Sequence, residues 1–253
     1  ARRRTCRQRR MSAMLADSHA IGRQASQRPL RTRRVVAVDV ARGLAIAGVV
    51  LFHIVWDLEF TGMIRGVAQH PVWLLFGRSL AGTFMFLVGV SLVLAHHDTI
   101  RVRAFIRRLL TIALCAAAIT VVTWFAFPES FIYFGILHAI AAATLLGMLF
   151  LRANILVCLA AVVIVLSLPL FLDLSEFNTR WLAWTGFAER PPPSNDFVPI
   201  FPWVGVTLLG MASAKLFLLR HDQNSPADAP VQGSLVRLLI WMGHWSLLIY
   251  LVH

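Results

Sequence analysis

Residues 38–58 read V-D-V-A-R-G-L-A-I-A-G-V-V-L-F-H-I-V-W-D-L. Roughly 20 mostly apolar residues, rising about 1.5 Å each as a helix, cross the ~30 Å hydrocarbon core of a bilayer. The stretch therefore reads as a membrane-spanning helix over about 36–57, yet it carries four ionisable residues. At about 100° per residue, Asp39 and Asp57 fall on one face, and Arg42 and His53 fall within about 20° of each other. His53 and Asp57 are an i,i+4 pair. One stripe thus holds Asp39, Arg42, Gly43, Ile46, His53 and Asp57. Charged side chains within a bilayer normally face the bundle interior or a water-filled cavity. The stripe is therefore expected to face inward.

Outward from this segment, further apolar runs occupy 72–95, 106–126, 131–150, 154–172 and 198–219, and a last one runs from near 238 to His253. The expected fold class is all-α: a polytopic transmembrane bundle of about seven helices. Composition agrees. Apolar residues make up 58% and charged residues 14%, against ~25% charged in soluble domains. A water-soluble fold this apolar would expose large greasy patches, whereas lipid solvates the outside of every helix.

The net charge of +12 is concentrated at one end: residues 1–34 hold eleven Arg and one Asp. A nucleic-acid surface would spread basic and aromatic groups over a folded face, so no nucleic-acid partner is expected. A basic tail before an apolar helix follows instead from the positive-inside rule. Arg101, Arg103, Arg107 and Arg108, then Arg152, then Lys215, Arg220 and Arg237 recur on that same side, which places the N-terminus in the cytoplasm. Residues 1–34 read as a disordered cytoplasmic tail, and 35–253 as the membrane domain. The tail has no cleavable-signal pattern. The chain begins with Ala, and Met11 or Met14 is a candidate start. Cys6, Cys115 and Cys158 form no C-x-x-C or ligand spacing, and no metal is expected. The loop 173–197, with Trp181, Trp184, Phe187 and Pro191–Pro193, is the largest outer segment. The polar 221–234 is a cytoplasmic linker.

Other helices bring polar groups to the outer depth of helix one. Arg78 lies in the first third of the second helix. His138 lies seven residues into the fourth, and Trp203 lies just inside the interface at the start of the sixth. His70 precedes the second helix. Each has a plainer reading: Asp39–Arg42 as an interfacial ion pair, His53–Asp57 as a helix-surface hydrogen bond, His138 as a packed core histidine, Arg78 as a snorkelling side chain. His19, His96, His97, His221 and His244 read as solvent or interface residues. Convergence in depth, from separate parts of the chain, favours a common pocket.

The motifs R-x-x-x-V-D-x-x-R-G-L-A (34–45) and F-H-x-x-W-D-L (52–58) resemble the start of the bacterial relatives of heparan-alpha-glucosaminide N-acetyltransferase, within a wider superfamily of transmembrane acyltransferases. G-R-S-L-A-G-T-F-M-F-L-V-G-V-S-L (77–92), F-G-I-L-H-A-I (134–140), F-P-W-V-G-V-x-L-L-G (201–210) and S-L-L-I-Y-L-V-H (246–253) follow in order. The resemblance implies an enzyme that takes an acyl group from a cytoplasmic donor, acetyl-CoA in the family. It passes the group to an amino or hydroxyl group, typically of a sugar, on the far side. It also implies a catalytic histidine in or after helix one. His53 matches the position in bacterial relatives. His70, three residues ahead of Trp73, matches that of the glucosaminide-type enzymes. His53 is favoured for its neighbouring acid. In relatives the last motif reads on past its histidine, so a truncation at His253 is expected, with the last helix starting nearer Trp245.

The expected chemistry assigns His53, or else His70, as base or nucleophile. Asp57 orients the imidazole and Arg78 stabilises the oxyanion. His138, Trp203 and His253 contact substrate. Arg42, held by Asp39, meets the donor's phosphates. Asp39 and His53 are fourteen residues apart, roughly 21 Å of helix, comparable to an extended pantetheine arm. The expected partners are the bilayer and a small-molecule or glycan acceptor. Two alternatives stay open: a carrier or flippase using the same stripe, and a b-type haem protein ligated by His53 and His138.

Overall fold

The computed structural model describes residues 36–96, 99–220 and 233–252. The arginine-rich tail, His19, His97, His221 and His253 lie outside the described residues. The helices are α1 (Val36–Phe60), α2 (Pro71–Ala95), α3 (Val102–Ala126), α4 (Ile136–Phe150), α5 (Ile155–Ser167), α6 (Ile200–Arg220), α7 (Ser234–His244) and α8 (Ser246–Val252). Among the described residues there is no strand, only isolated bridges at Phe134–Phe197 and Leu174–Ala188.

The protein is an all-α, multi-pass membrane helix bundle, and every apolar run read from the sequence forms helix. By length and composition α1, α2, α3 and α6 can each cross a membrane, and α7 with α8, bent by 73°, makes a fifth, broken span. The other two are short: α4 has 15 residues and α5 has 13. The expected fourth segment, 131–150, becomes helix only at Ile136, because the residues before it pair with the 195–198 segment instead. Val198 N–H donates to the Phe134 carbonyl at 3.1 Å and Asn195 N–H to the Ser130 carbonyl at 2.8 Å. The fifth, expected over 154–172, gives way to a 3-10 turn at Leu168–Leu170 with Pro169 in it.

Local chemistry explains the helix ends. Past α1 the Glu59 carboxylate accepts the N–H groups of Gly66, Val67 and Ala68 at 3.0, 3.0 and 2.6 Å, which ties down the connection to α2. At the start of α2, Pro71 occupies the first turn and the His70 ring accepts the Val72 N–H, satisfying a donor the helix leaves open. Asn154 caps α5 through the Val157 N–H at 2.8 Å. Lys215 donates to the Phe150 carbonyl at 2.8 Å and to the Ala153 carbonyl. A cation thus meets the open carbonyls at the end of α4.

Two helix pairs pack backbone to backbone. A Cβ at Gly89 or Gly210 would collide with the Thr207 or Phe86 carbonyl of the facing helix, so glycine is what lets α2 and α6 approach this closely. Thr207, fully buried, donates to the Met85 carbonyl at 3.0 Å within that seam. On the other side, Gly43 of α1 meets the Leu239 carbonyl and Gly243 of α7 meets the Asp39 carbonyl. By contrast, α3 packs extensively on α4 alone. A cavity remains between α3 and the α1–α2 pair.

Candidate active site

That cavity holds about 1160 Å³. Its walls come from α1, α2, α3, the start of α4, the 195–198 segment, Trp203, and the α7–α8 bend. At the end nearer the starts of α1 and α3 it is strongly basic. Arg42 of α1 and Arg107 and Arg108 of α3 line it there, and Arg108 lies within electrostatic reach of Arg42. Arg42 is held by two partners: its guanidinium donates to Ser91 Oγ at 2.8 Å and pairs with Asp39 Oδ1 at 3.4 Å. Three arginines with so little counter-charge make an anion-binding mouth.

Toward the other end the lining carries His53, Trp56, Asp57, Arg78, Asn195, Asp196, Trp203 and Tyr250. From Arg42 to Asp57 is fifteen residues along one helix, about 22 Å. Half-buried His53 sits one turn short of Asp57. Its Nδ1 lies 3.0 Å from the Val49 carbonyl. A carbonyl can only accept, so Nδ1 donates and the neutral ring has Nε2 as its basic nitrogen. Phe52 flanks it edge-on and stacks on Trp73 at 5.5 Å.

Asp196 is tied to three elements. Its Oδ2 accepts the Ile136 N–H at 2.7 Å and the Tyr250 hydroxyl at 3.4 Å, and it lies within electrostatic reach of His53. Burial pushes this carboxyl above the usual carboxylate range, against the pull of the Ile136 N–H, the charge of His53 and the Tyr250 hydroxyl. Nearby, Tyr133 donates to the Pro192 carbonyl at 3.2 Å. Burial pushes its phenol up to about 12 despite the charge of Arg180, so it stays a donor.

The structure therefore brings Arg42, His53, Asp57, Arg78 and Trp203 to one cavity. Asp39 stands behind Arg42. Asp57 and Arg78 are exposed on the cavity wall, and His53 Nδ1 meets the Val49 carbonyl. His70 is exposed on the α1–α2 connection and caps α2. His138 is not part of the lining. Its Nδ1 accepts the Gly135 N–H at 3.2 Å and its Nε2 lies 3.2 Å from Thr120 Oγ, which itself donates to the Ile132 carbonyl. Both ring nitrogens being engaged, this geometry gives the bis-histidine haem reading no support. His253 lies outside the described residues. Among those residues no group of three His, Cys, Asp or Glu side chains is placed to hold a metal ion.

Sequence reasoning missed Arg107, Arg108, Asp196, Tyr250 and His244 as lining residues. Only the arginines left a signal, their spacing into an apolar run, and charge counting had used them as loop markers. His244, read as an interface residue, lines the cavity at the α7–α8 break.

A family model described as heparan-alpha-glucosaminide N-acetyltransferase, catalytic, matches residues 34–253. The chain belongs to that family. As a heparan-alpha-glucosaminide N-acetyltransferase-type catalytic domain it is a member of a membrane acetyltransferase family. The match begins at Arg34, just ahead of α1, and runs through every helix that lines the cavity. No curated protein and no solved structure matches the chain.

Proposed function

We propose that this protein is an inner-membrane acyltransferase with a cytoplasmic N-terminus. It moves an acetyl or related acyl group from a cytoplasmic donor such as acetyl-CoA to an amino or hydroxyl group of a sugar or glycan on the outer side. The observation that carries this reading is the single cavity joining the Arg42–Arg107–Arg108 mouth to His53, about 16 Å of helix from Arg42. An acyl-CoA has its phosphates at one end and its thioester at the other, a pantetheine arm apart. The cavity offers cations at one end and a polar, histidine-bearing chamber at the other.

In the proposed step the acceptor nitrogen or oxygen bonds to the acyl carbon while its proton passes to His53 Nε2. The carbon–sulfur bond breaks, and the departing CoA thiolate takes that proton from the imidazolium. Products are the acylated acceptor and CoA thiol. Arg78 offers its guanidinium to the oxyanion, and Trp203 gives the acceptor an apolar wall with a polar edge. Asp39 steadies Arg42, whose charge and those of Arg107 and Arg108 hold the donor phosphates. His70, as the α2 cap, is the alternative base.

The test incubates membranes containing the protein with labelled acetyl-CoA and follows label onto glycans. His53→Ala is expected to abolish transfer while the protein still inserts. Full activity in that variant moves the role to His70. Acceptor binding without acetyl-CoA turnover points instead to a carrier.

A further inference from the structure

Resting on the acyl-transfer reading, we infer that Asp196, and not only the helix-one acid Asp57, is the carboxylate that balances the charge of His53 during transfer. Three observations carry this. Asp196 lines the same cavity as His53 and lies within its electrostatic reach. It does not stand alone: Oδ2 is fixed from two sides, by the Ile136 N–H at the positive start of α4 and by the Tyr250 hydroxyl of α8. Asp57, the other acid near His53, is exposed, and only its backbone carbonyl has a described partner.

The chemistry follows from those contacts. When His53 takes the acceptor proton it becomes a cation in the cavity. A fixed carboxylate across the chamber lowers the energy of that cation without reorganising, because its own position is already set. A carboxyl that burial pushes upward, in a cleft and within electrostatic reach of a histidine, is also the pattern expected of a working acid. The other titratable and charged groups around it are Asp57, Arg78 and His244 on the cavity walls, with Tyr133 and His138 flanking the start of α4. Asp196 contacts no reacting atom in this account; it acts through His53.

The experiment compares Asp196→Asn, Tyr250→Phe, His53→Gln and, as a surface control, Asp173→Asn in the full chain. Asn at 196 keeps an oxygen for the Ile136 N–H and the Tyr250 hydroxyl, so the cap on α4 survives. Asp196→Asn is expected to lower kcat by about 10²-fold with donor KM and thermal stability near wild type. It also removes the part of the acid limb of the pH profile in which activity falls as pH drops through the raised carboxyl value. Tyr250→Phe moves that limb to higher pH, since a hydroxyl that pulled the carboxyl down is gone. Infrared pH titration reads the Asp196 carboxylic-acid band without any turnover. In His53→Gln that band persists to higher pH, and in Asp173→Asn it does not move. Wild-type kcat and pH profile in Asp196→Asn overturn the inference. So does loss of activity accompanied by equal loss of stability, or a carboxyl band indifferent to His53→Gln. Absence of acyl transfer in wild type sinks the acyl-transfer reading instead, and the infrared coupling still reports on Asp196 and His53.

Discussion

The α2–α6 seam and the cavity wall of α1, α3 and α8 are built from the same apolar alphabet but do opposite jobs. In the seam, Gly89 and Gly210 bring backbones into contact, and the one polar side chain, Thr207, is buried and hydrogen-bonded. Nothing there is left over for chemistry. Along the cavity, α3 packs mainly on α4, and Arg42, His53, Arg78 and Asp196 line a surface open to a ligand. The difference shows how a membrane protein can hold a reactive site. A close glycine-mediated seam supplies rigidity, and a neighbouring gap keeps ionisable groups wet or paired where lipid alone would exclude them.

Substitutions on either side of this divide put the contrast to the test. His53→Ala, on the cavity side, is expected to lower acyl transfer by about 10³-fold, measured as label transferred, with unchanged thermal stability in detergent. Gly210→Leu, in the seam, is expected to cost at least ~3 kcal/mol, because a facing carbonyl cannot move aside as a side chain can. Thermal melts and recovery of monodisperse protein check it, and a folded, active Gly210→Leu removes the distinction between the two regions. Arg107→Gln with Arg108→Gln is expected to raise KM for acetyl-CoA about tenfold, or about 1.4 kcal/mol, with kcat kept and with a weaker dependence on salt. Thr207→Val loses one buried hydrogen bond and is expected to cost about 1 kcal/mol of stability, with activity near wild type. The smallest effect is assigned to His70→Ala, less than about threefold in kcat. A collapse of activity there transfers the catalytic role from the cavity to the α1–α2 connection.

Much of the bundle was legible beforehand because each run of apolar residues has only one way to satisfy its backbone in lipid. The stripe on α1 was legible for the same reason: helical geometry fixes which residues share a face. Its two ends nevertheless differ. Gly43 is committed to contact with α7, while His53 and Asp57 reach the cavity. What could not be read was any contact whose partners lie far apart in the chain. Asp196 meets an N–H sixty residues away and a hydroxyl fifty-four away, and no periodicity links them. In the sequence Asp196 is one of four acids in the 173–197 loop, with Asp173, Glu176 and Glu189. Arg107 and Arg108 were counted for topology, a use that depends only on charge and says nothing of which way the side chains face. Depth alone placed His138 beside His53. Its ring instead serves Gly135 and Thr120, because the residues before α4 need donors and acceptors of their own. The bend at Trp245 was also hidden, although the sequence pointed to a start near that residue.

Sealed proteoliposomes of defined orientation show whether the acyl group passes through the cavity. Labelled acetyl-CoA is supplied to one face only and a membrane-impermeant amino sugar to the other. Label is expected on the amino sugar when acetyl-CoA faces the arginine mouth, and none is expected with the orientation reversed or with His53→Ala. Label that appears only when donor and acceptor share a face, or that survives removal of His53, contradicts transfer through this cavity.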